Sequence, residues 1–552
     1  MKKAIYTLIA AVVVIVLFLV ACSSNPTTTS TTATTTVKPS TTTSAPTSTV
    51  STTAPKPSTT TTAAGTPKKG GVLRLSRFTN EGVSLGDPLN HRGMNSWWQS
   101  TPALEPLLRT GDSGELIPWL ATAWKEDVAT KSITLTIRQG VKFHDGTPLN
   151  AEAVRWNMQY RMDGKMPAYA SFDKVETVDA NTVKITFKNW DSTVIYNFAS
   201  GPGLIISPDN YLNNGAAYAA DHPVGTGPFK FVSWVKNSKI TYTRNPDYWQ
   251  PGKPYLDGIE WYTIPDMNTK AMSFINGELE VVLTLDPPQV EMCEKAGYKP
   301  FLEPISGGCD GFVPSSVNTS SPWSNLKVRQ AAAYSINIDE YDKAIFGELG
   351  IPSNQFVPKG NWAFSNDVVG YPYSVDKGKQ LLTEAGYPTG FKTPFLGFQD
   401  ATMNNRVLAI SQYLSKIGIT SDIQIISTAE LTDRQTNGVG WNGLIWNSLG
   451  QSMDVTDTLN RYYGASKTNF VSMLKPDDWV KGIQAAVGAS DFTTKQKTVQ
   501  GLMKMMTDTY CLMLLQGARC DDTFEQKYVH DTGITRTVNT QMWTPENAWL
   551  DK

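Results

Sequence analysis

The sequence predicts an α/β body with mixed sheets, divided between two lobes. Three observations point there. The chain has 552 residues, too many for one hydrophobic core. The segments 133–138 and 183–188 alternate strictly between apolar and polar residues, the period of half-buried strands. From about residue 265 onward, segments of helical apolar spacing alternate with short strand-like runs. A composition 40% hydrophobic and 18% charged excludes a mainly disordered or polytopic membrane chain. Beyond Lys69 the chain carries 43 basic against 50 acidic residues, so it offers no electrostatic footprint for nucleic acid. No repeat of 20–50 residues is present, which excludes a solenoid.

The elements follow in order. Lys2 and Lys3 precede an uncharged apolar run, Ala4 to Ala21, that ends at Cys22. As a helix those residues would reach about 27 Å, so a membrane anchor is one reading. A secretory signal, with basic, apolar and small-residue regions in sequence, is the other. Leu19-Val20-Ala21-Cys22 resembles the bacterial lipobox, which implies acylation of Cys22 and attachment to the membrane by lipid. Residues 23–66 hold 28 Ser or Thr in 44 positions and several prolines, so 23–69 reads as a solvated stalk. Residues 71–75 open the body as a strand. Asn150 is an N-cap for a helix through Met158. Helices are predicted over 325–346, 375–385, 404–417 and 431–436, and from Asp477 and Thr493. Strands are predicted at 423–426, 443–446 and 512–515. Val407, Ile410, Leu414 and Ile417 have the spacing of a core-facing helix side.

Beyond Cys22 there are four cysteines, Cys293, Cys309, Cys511 and Cys520. In an exported chain this permits two disulfides, and sequential proximity favours Cys293–Cys309 and Cys511–Cys520, with buried free thiols as the alternative. Four scattered histidines and the lack of a CxxC pair give no metal site, and no cofactor is expected.

Several motifs resemble the extracellular solute-binding proteins of family 5, the dipeptide- and oligopeptide-binding group that serves ABC importers. They are Leu104-Glu105-Pro106-Leu107-Leu108, residues 118–124, the long block 137–149, Pro223-Val224-Gly225-Thr226-Gly227-Pro228-Phe229, residues 244–249, 328–331 and 381–388. The resemblance covers about Gly70 to Lys552. It implies a type II periplasmic-binding fold with two lobes, a hinge and an inserted subdomain. Lobe I would span 70–305, with the insert at about 105–220, and lobe II 306–511; residues 512–552 would return to lobe I. Hinges would lie near 305–308 and 516–518, where glycines can absorb changes in backbone angle. The implied partners are a solute, the permease subunits of an ABC transporter and the membrane; a monomer is expected.

A ligand between two lobes needs aromatic walls and a few hydrogen-bonding groups. The candidates are Asn95, Trp97, Trp98, Thr226, Trp441, Trp446, Asn447, Ser448, Gln451 and Asp454. The stretch 446–454 departs from the peptide-binding pattern W-x-x-D-x-x-D-P, whose first Asp pairs with the peptide amino terminus. Here Gly450 or Gln451 stands at that Asp, and Asp454 matches the second. No arginine for a ligand carboxylate is evident near Gln399-Asp400. Short zwitterionic peptides thus lose both ionic anchors, while a long peptide held by its backbone, an oligosaccharide or another polar solute suits the remaining residues. His144 reads as a hydrogen-bonded structural residue and 225–228 as a loop in close approach to a neighbour. HExxH, GxSxG and GxxxxGK are absent, so an enzyme is not expected; a solute sensor is the remaining alternative.

Overall fold

The computed structural model describes residues 65–77, 84–90, 93–111, 115–304, 309–399, 403–447, 454–534, 543 and 545–552. The candidate signal segment, Cys22 and residues 23–64 of the stalk lie outside them. So does the first hinge candidate, 305–308.

A twelve-stranded sheet runs through the body. Its first half orders the strands Phe229–Val235, Lys239–Arg244, Gly258–Tyr262, Val72–Ser76 and Val281–Leu283. Its second half orders Asp310–Pro314, Leu444–Asn447, Phe391–Phe398 and Ile419–Ile426. One strand, Leu514–Glu525, belongs to both. Its far end pairs with Val281–Leu283 and with Phe301–Pro304, and its near end with Asp310–Phe312 and Gly350–Pro352. The polypeptide thus passes between the halves twice, and the two passages are antiparallel neighbours. Register slips at the crossing: Asp310 faces Gly517 and Gly311 faces Leu515, so Gln516 bulges out. Gly517 has φ +145°, and a Cβ there would lie 2.7 Å from Asp342 Oδ1 and from the Ile351 carbonyl. Only glycine fits that position.

Each half has its own core. Leu73, Leu75, Ile240, Ile259, Trp261 and Trp543 pack in the first. In the second, Phe312, Trp323, Phe395, Val407, Ile410, Leu414 and Ile417 cover one sheet face, and Ile445, Tyr463, Phe470, Trp479 and Ile483 cover the other. The expected apolar side of helix Met403–Ser415 is therefore core. Residues 105–205 build a third core, around a four-stranded antiparallel sheet of Ala121–Asp127, Ser132–Ile137, Thr182–Phe187 and Phe172–Asp179. Against it lies helix Ala151–Asp163, capped by the Asn150 side chain accepting from Ala153 N–H.

The segment 325–346 is two helices, Leu326–Ser335 and Ile338–Phe346, rather than one. Ile336 is extended, and the Asn337 side chain accepts from Glu340 N–H to start the second helix. A local cap outcompetes helical continuation there. The predicted strand 512–515 extends as far as Glu525 because it finds partners on both sides along its length.

The motifs have structural explanations. Glu105 is buried and accepts from Trp119 Nε1 (2.9 Å), Thr226 Oγ1 (2.8 Å), Tyr248 OH (2.7 Å) and Trp249 Nε1 (3.0 Å). Four of the sequence motifs thus meet at a single carboxylate, whose pKa burial pushes above its usual range while Arg109, and then the Tyr248, Thr226 and Trp249 donors, draw it back down. Arg329 donates to the carbonyls of Trp323, Ser324, Tyr510 and Cys511. His144 Nε2 lies 2.9 Å from the Gly227 carbonyl, and burial pushes its pKa down to about 4. A Cβ at Gly225 or Gly227 would strike the backbone of residues 102–104, the close approach expected of that loop.

Neither expected disulfide is formed among the described residues: Cys293, Cys309, Cys511 and Cys520 are buried, and none of them bridges another. Cys293 packs with Phe274 and Phe524, whereas Cys309 packs with Phe356 and Val357 in another cluster. Cys520 sits on the long strand, and the stretch 514–520 alone extends about 20 Å, whereas bridged Cα atoms lie within about 7 Å. Sequential proximity misleads wherever the intervening chain is extended.

Candidate functional site

The strands Phe391–Phe398, Ile419–Ile426 and Leu444–Asn447 are mutually parallel, and their carboxyl ends share one edge of the sheet. Such edges are where open α/β sheets bind ligands, because the loops that follow diverge and leave a crevice. Trp446 lies there, its ring stacked on Phe398 with centroids 4.7 Å apart. The Arg406 guanidinium lies 5.9 Å from the Trp446 ring and 4.8 Å from Phe346, and pairs with Asp310 at 2.7 Å. Asp310 begins the crossing strand, so this ion pair ties the site to the place where the two halves join.

Buried polar atoms without partners mark this edge. Trp446 Nε1, Arg406 Nε, Asn447 Oδ1 and Gln516 Oε1 have none among the described residues, although Asn447 Nδ2 donates to Tyr463 OH at 2.7 Å. Native interiors satisfy nearly all such atoms. Asp342, 1% exposed, belongs to the same neighbourhood, and neither of its oxygens accepts a hydrogen bond from the described residues.

Asp454 caps the helix that follows it, accepting from Thr456 N–H at 2.8 Å. Its charge is met by buried Lys495 at 2.7 Å. Lys495 also donates to the Ser192 carbonyl at 2.8 Å, and Ser192 N–H donates to the Val487 carbonyl at 3.0 Å. The 105–205 region is therefore bonded directly to the helices of the second half.

The structure brings Trp446, Asn447 and Asp454 into this second half, and Ser448 and Gln451 lie outside the described residues. The other candidates are placed elsewhere. Trp441 is a core residue whose indole donates to the Val313 carbonyl at 3.0 Å. Trp98 is buried in the first core with Arg77 over its ring. Thr226 is committed to Glu105. Asn95 and Trp97 are half-buried on helix Gly93–Ser100, with Trp97 against Gly201. Arg406, Asp310 and Lys495 escaped sequence reasoning. Arg406 and Asp310 are 96 positions apart, and Arg406 sits in a helix whose apolar spacing spoke only of core.

A shared strand joining two sheet halves, with an open parallel edge at the junction, defines a two-lobed binding protein of the periplasmic type. Over residues 115–470 the chain matches bacterial extracellular solute-binding proteins, family 5, and it belongs to that family. It is 32% identical over 324 residues to the glutathione-binding protein GsiB of Pectobacterium atrosepticum, covering 57% of this chain and 62% of that protein. It is 31% identical over 303 residues to GsiB of Escherichia coli K12, covering 54% and 58%. The chain therefore spans less than two-thirds of these relatives. Its fold resembles HbpA2 from Haemophilus parasuis (TM-score 0.78, 20% identity, 87% of this chain and 100% of that one). It also resembles DppA from Helicobacter pylori in complex with the peptide STSA (TM-score 0.72, 23% identity, 88% and 99%).

Proposed function

We propose that the protein is an extracytoplasmic receptor that captures a peptide-class solute between its lobes and delivers it unaltered to an ABC permease. The observation that carries this reading is the set of unpartnered buried polar atoms on Trp446, Arg406, Asn447 and Gln516, at or beside the parallel sheet edge. Leaving them unmet costs about 1–3 kcal/mol each, and a polar solute bearing donors and acceptors offsets that cost. The family relationship and the names of the relatives support the transport class. The lobes would divide at the two passages, with 305–308 and 516–518 as hinges, and binding would favour the closed form because the solute touches both lobes only there. Lipidation at Cys22 would tether the receptor outside the cytoplasmic membrane on its Ser/Thr-rich stalk.

The distinctive stretch 446–454 sets the solute apart from a short zwitterionic peptide. Asp454 is already neutralised by Lys495 and is not available to an ammonium group. Mass spectrometry of small molecules released by denaturing the purified chain tests the function. A peptide or peptide conjugate recovered at about one per chain supports it. A carbohydrate would move the reading to the polar-solute alternative, and chemical conversion of the recovered solute by the protein would overturn it.

A further inference from the structure

A second cavity lies where the 105–205 region meets the helices Asp477–Val487 and Phe492–Lys504. It encloses about 560 Å³, the size of a small-molecule site. The contact that forms it is made by specific bonds. Ser192 N–H and the Trp190 indole donate to the carbonyls of Val487 and Ala489, and Lys495 donates back to Ser192. The cavity therefore exists only while these two parts are in contact.

Its lining combines two features. Trp124, Tyr196 and Phe492 supply aromatic wall, and Glu115, Glu126 and Asp491 supply three carboxylates. The one cation among the lining residues, Lys495, pairs with Asp454 at 2.7 Å, lies 5.3 Å from the Tyr196 ring and also attracts Glu126, so it offsets one of the carboxylates and leaves the lining negative. Asp491 caps the helix through Thr494 and so contributes charge rather than a contact. Glu126 lines the cavity and remains solvent-accessible. Tyr196 reports the resulting field: burial raises its pKa first, and Asp454, Glu126 and Glu115 raise it further. An anion would meet like charge here. A neutral apolar ligand would strip water from the carboxylates without replacing it. An organic cation meets both features, since ring faces and carboxylates each attract it.

We propose that this cavity is a solute subsite for an organic cation, an amine or guanidinium carried on an apolar or aromatic stem. The charged head would face Glu126, and the stem would lie against Trp124 and Phe492. This deepens the solute-binding reading and rests on it, since a cation held here bridges the parts that close.

The test is calorimetric titration of the full chain with tryptamine, its neutral analogue tryptophol and the anion indole-3-acetate. Tryptamine is expected to bind at least about tenfold more tightly than tryptophol, with indole-3-acetate weaker still. Glu126→Gln, a surface strand position, should remove about five- to tenfold of the tryptamine affinity. It should leave the circular dichroism unchanged. Equal affinity for tryptamine and tryptophol, no tryptamine binding at millimolar concentration, or an unchanged Glu126→Gln titration would each overturn the proposal. The two readings fail separately. A neutral solute that binds where tryptamine does not would leave the receptor function standing without the cation subsite.

Discussion

Asp342→Asn isolates one buried charge at the crossing of the lobes. Asp342 lies on helix Ile338–Phe346, 1% exposed, with no hydrogen bond to either oxygen from the described residues. Backbone from two directions closes over it: a Cβ on Gly350 would lie 2.3 Å from Oδ2, and one on Gly517 2.7 Å from Oδ1. Burial is the main cause that pushes its pKa from 3.8 to about 7, and the carboxylates of Asp310 and Asp339 add to it. Arg406 opposes the shift but is already paired with Asp310. The sign follows from proton binding. Between pH 4 and 7 the folded protein holds a proton on Asp342 that the unfolded chain has released. Stability from this group is therefore complete below the unfolded pKa and is lost as pH rises through about 7. Three pKa units correspond to roughly 4 kcal/mol, an upper bound because the folded state can relax around the charge. Asparagine keeps the shape of the protonated acid and removes the titration. In urea unfolding at intervals from pH 5 to 8, the variant should gain on the wild type up to about pH 7 and then level off, by at most about 2.7 kcal/mol in all. A difference between the two proteins that stays constant from pH 5 to 8 would refute the reasoning.

Other expectations are more local. Trp446→Ala should weaken binding of the native solute by about tenfold or more without altering the fold, as read by calorimetry and circular dichroism; unchanged affinity removes Trp446 from the site. Lys495→Met leaves Asp454 buried without its cation and should cost about 3–5 kcal/mol in urea unfolding, and Asp454→Asn in the same chain should recover part of it. Glu105→Gln cannot accept from four donors as the carboxylate does, and should lower stability by about 1–3 kcal/mol while solute affinity is preserved. The four thiols should resist alkylation in the folded protein and react on unfolding, and dithiothreitol should leave the melting temperature unchanged; a reductant-dependent melting temperature would reveal a disulfide after all.

Local order in this protein was written in its local sequence. Alternating residues specified the strands at 133–137 and 182–187, and Asn150, Asn337 and Asp454 each cap the helix that follows them. The motif run from Leu104 to Trp249 carried the family resemblance, and its parts meet in a buried network around Glu105. Trp446 could be picked out because a strand ends beside it in polar sequence. Its partners could not, because Phe398 and Arg406 reach it, and Asp310 reaches Arg406, through long-range packing that leaves no periodic trace. The same limit explains the cysteines, whose spacing suggested bridges that an extended strand holds apart. Hydrogen bonding along the chain acts over a few residues and is legible there. Charge pairing, orphaned polar atoms and the cavity between 124 and 492 depend on which distant surfaces meet, and the folded arrangement alone decides that.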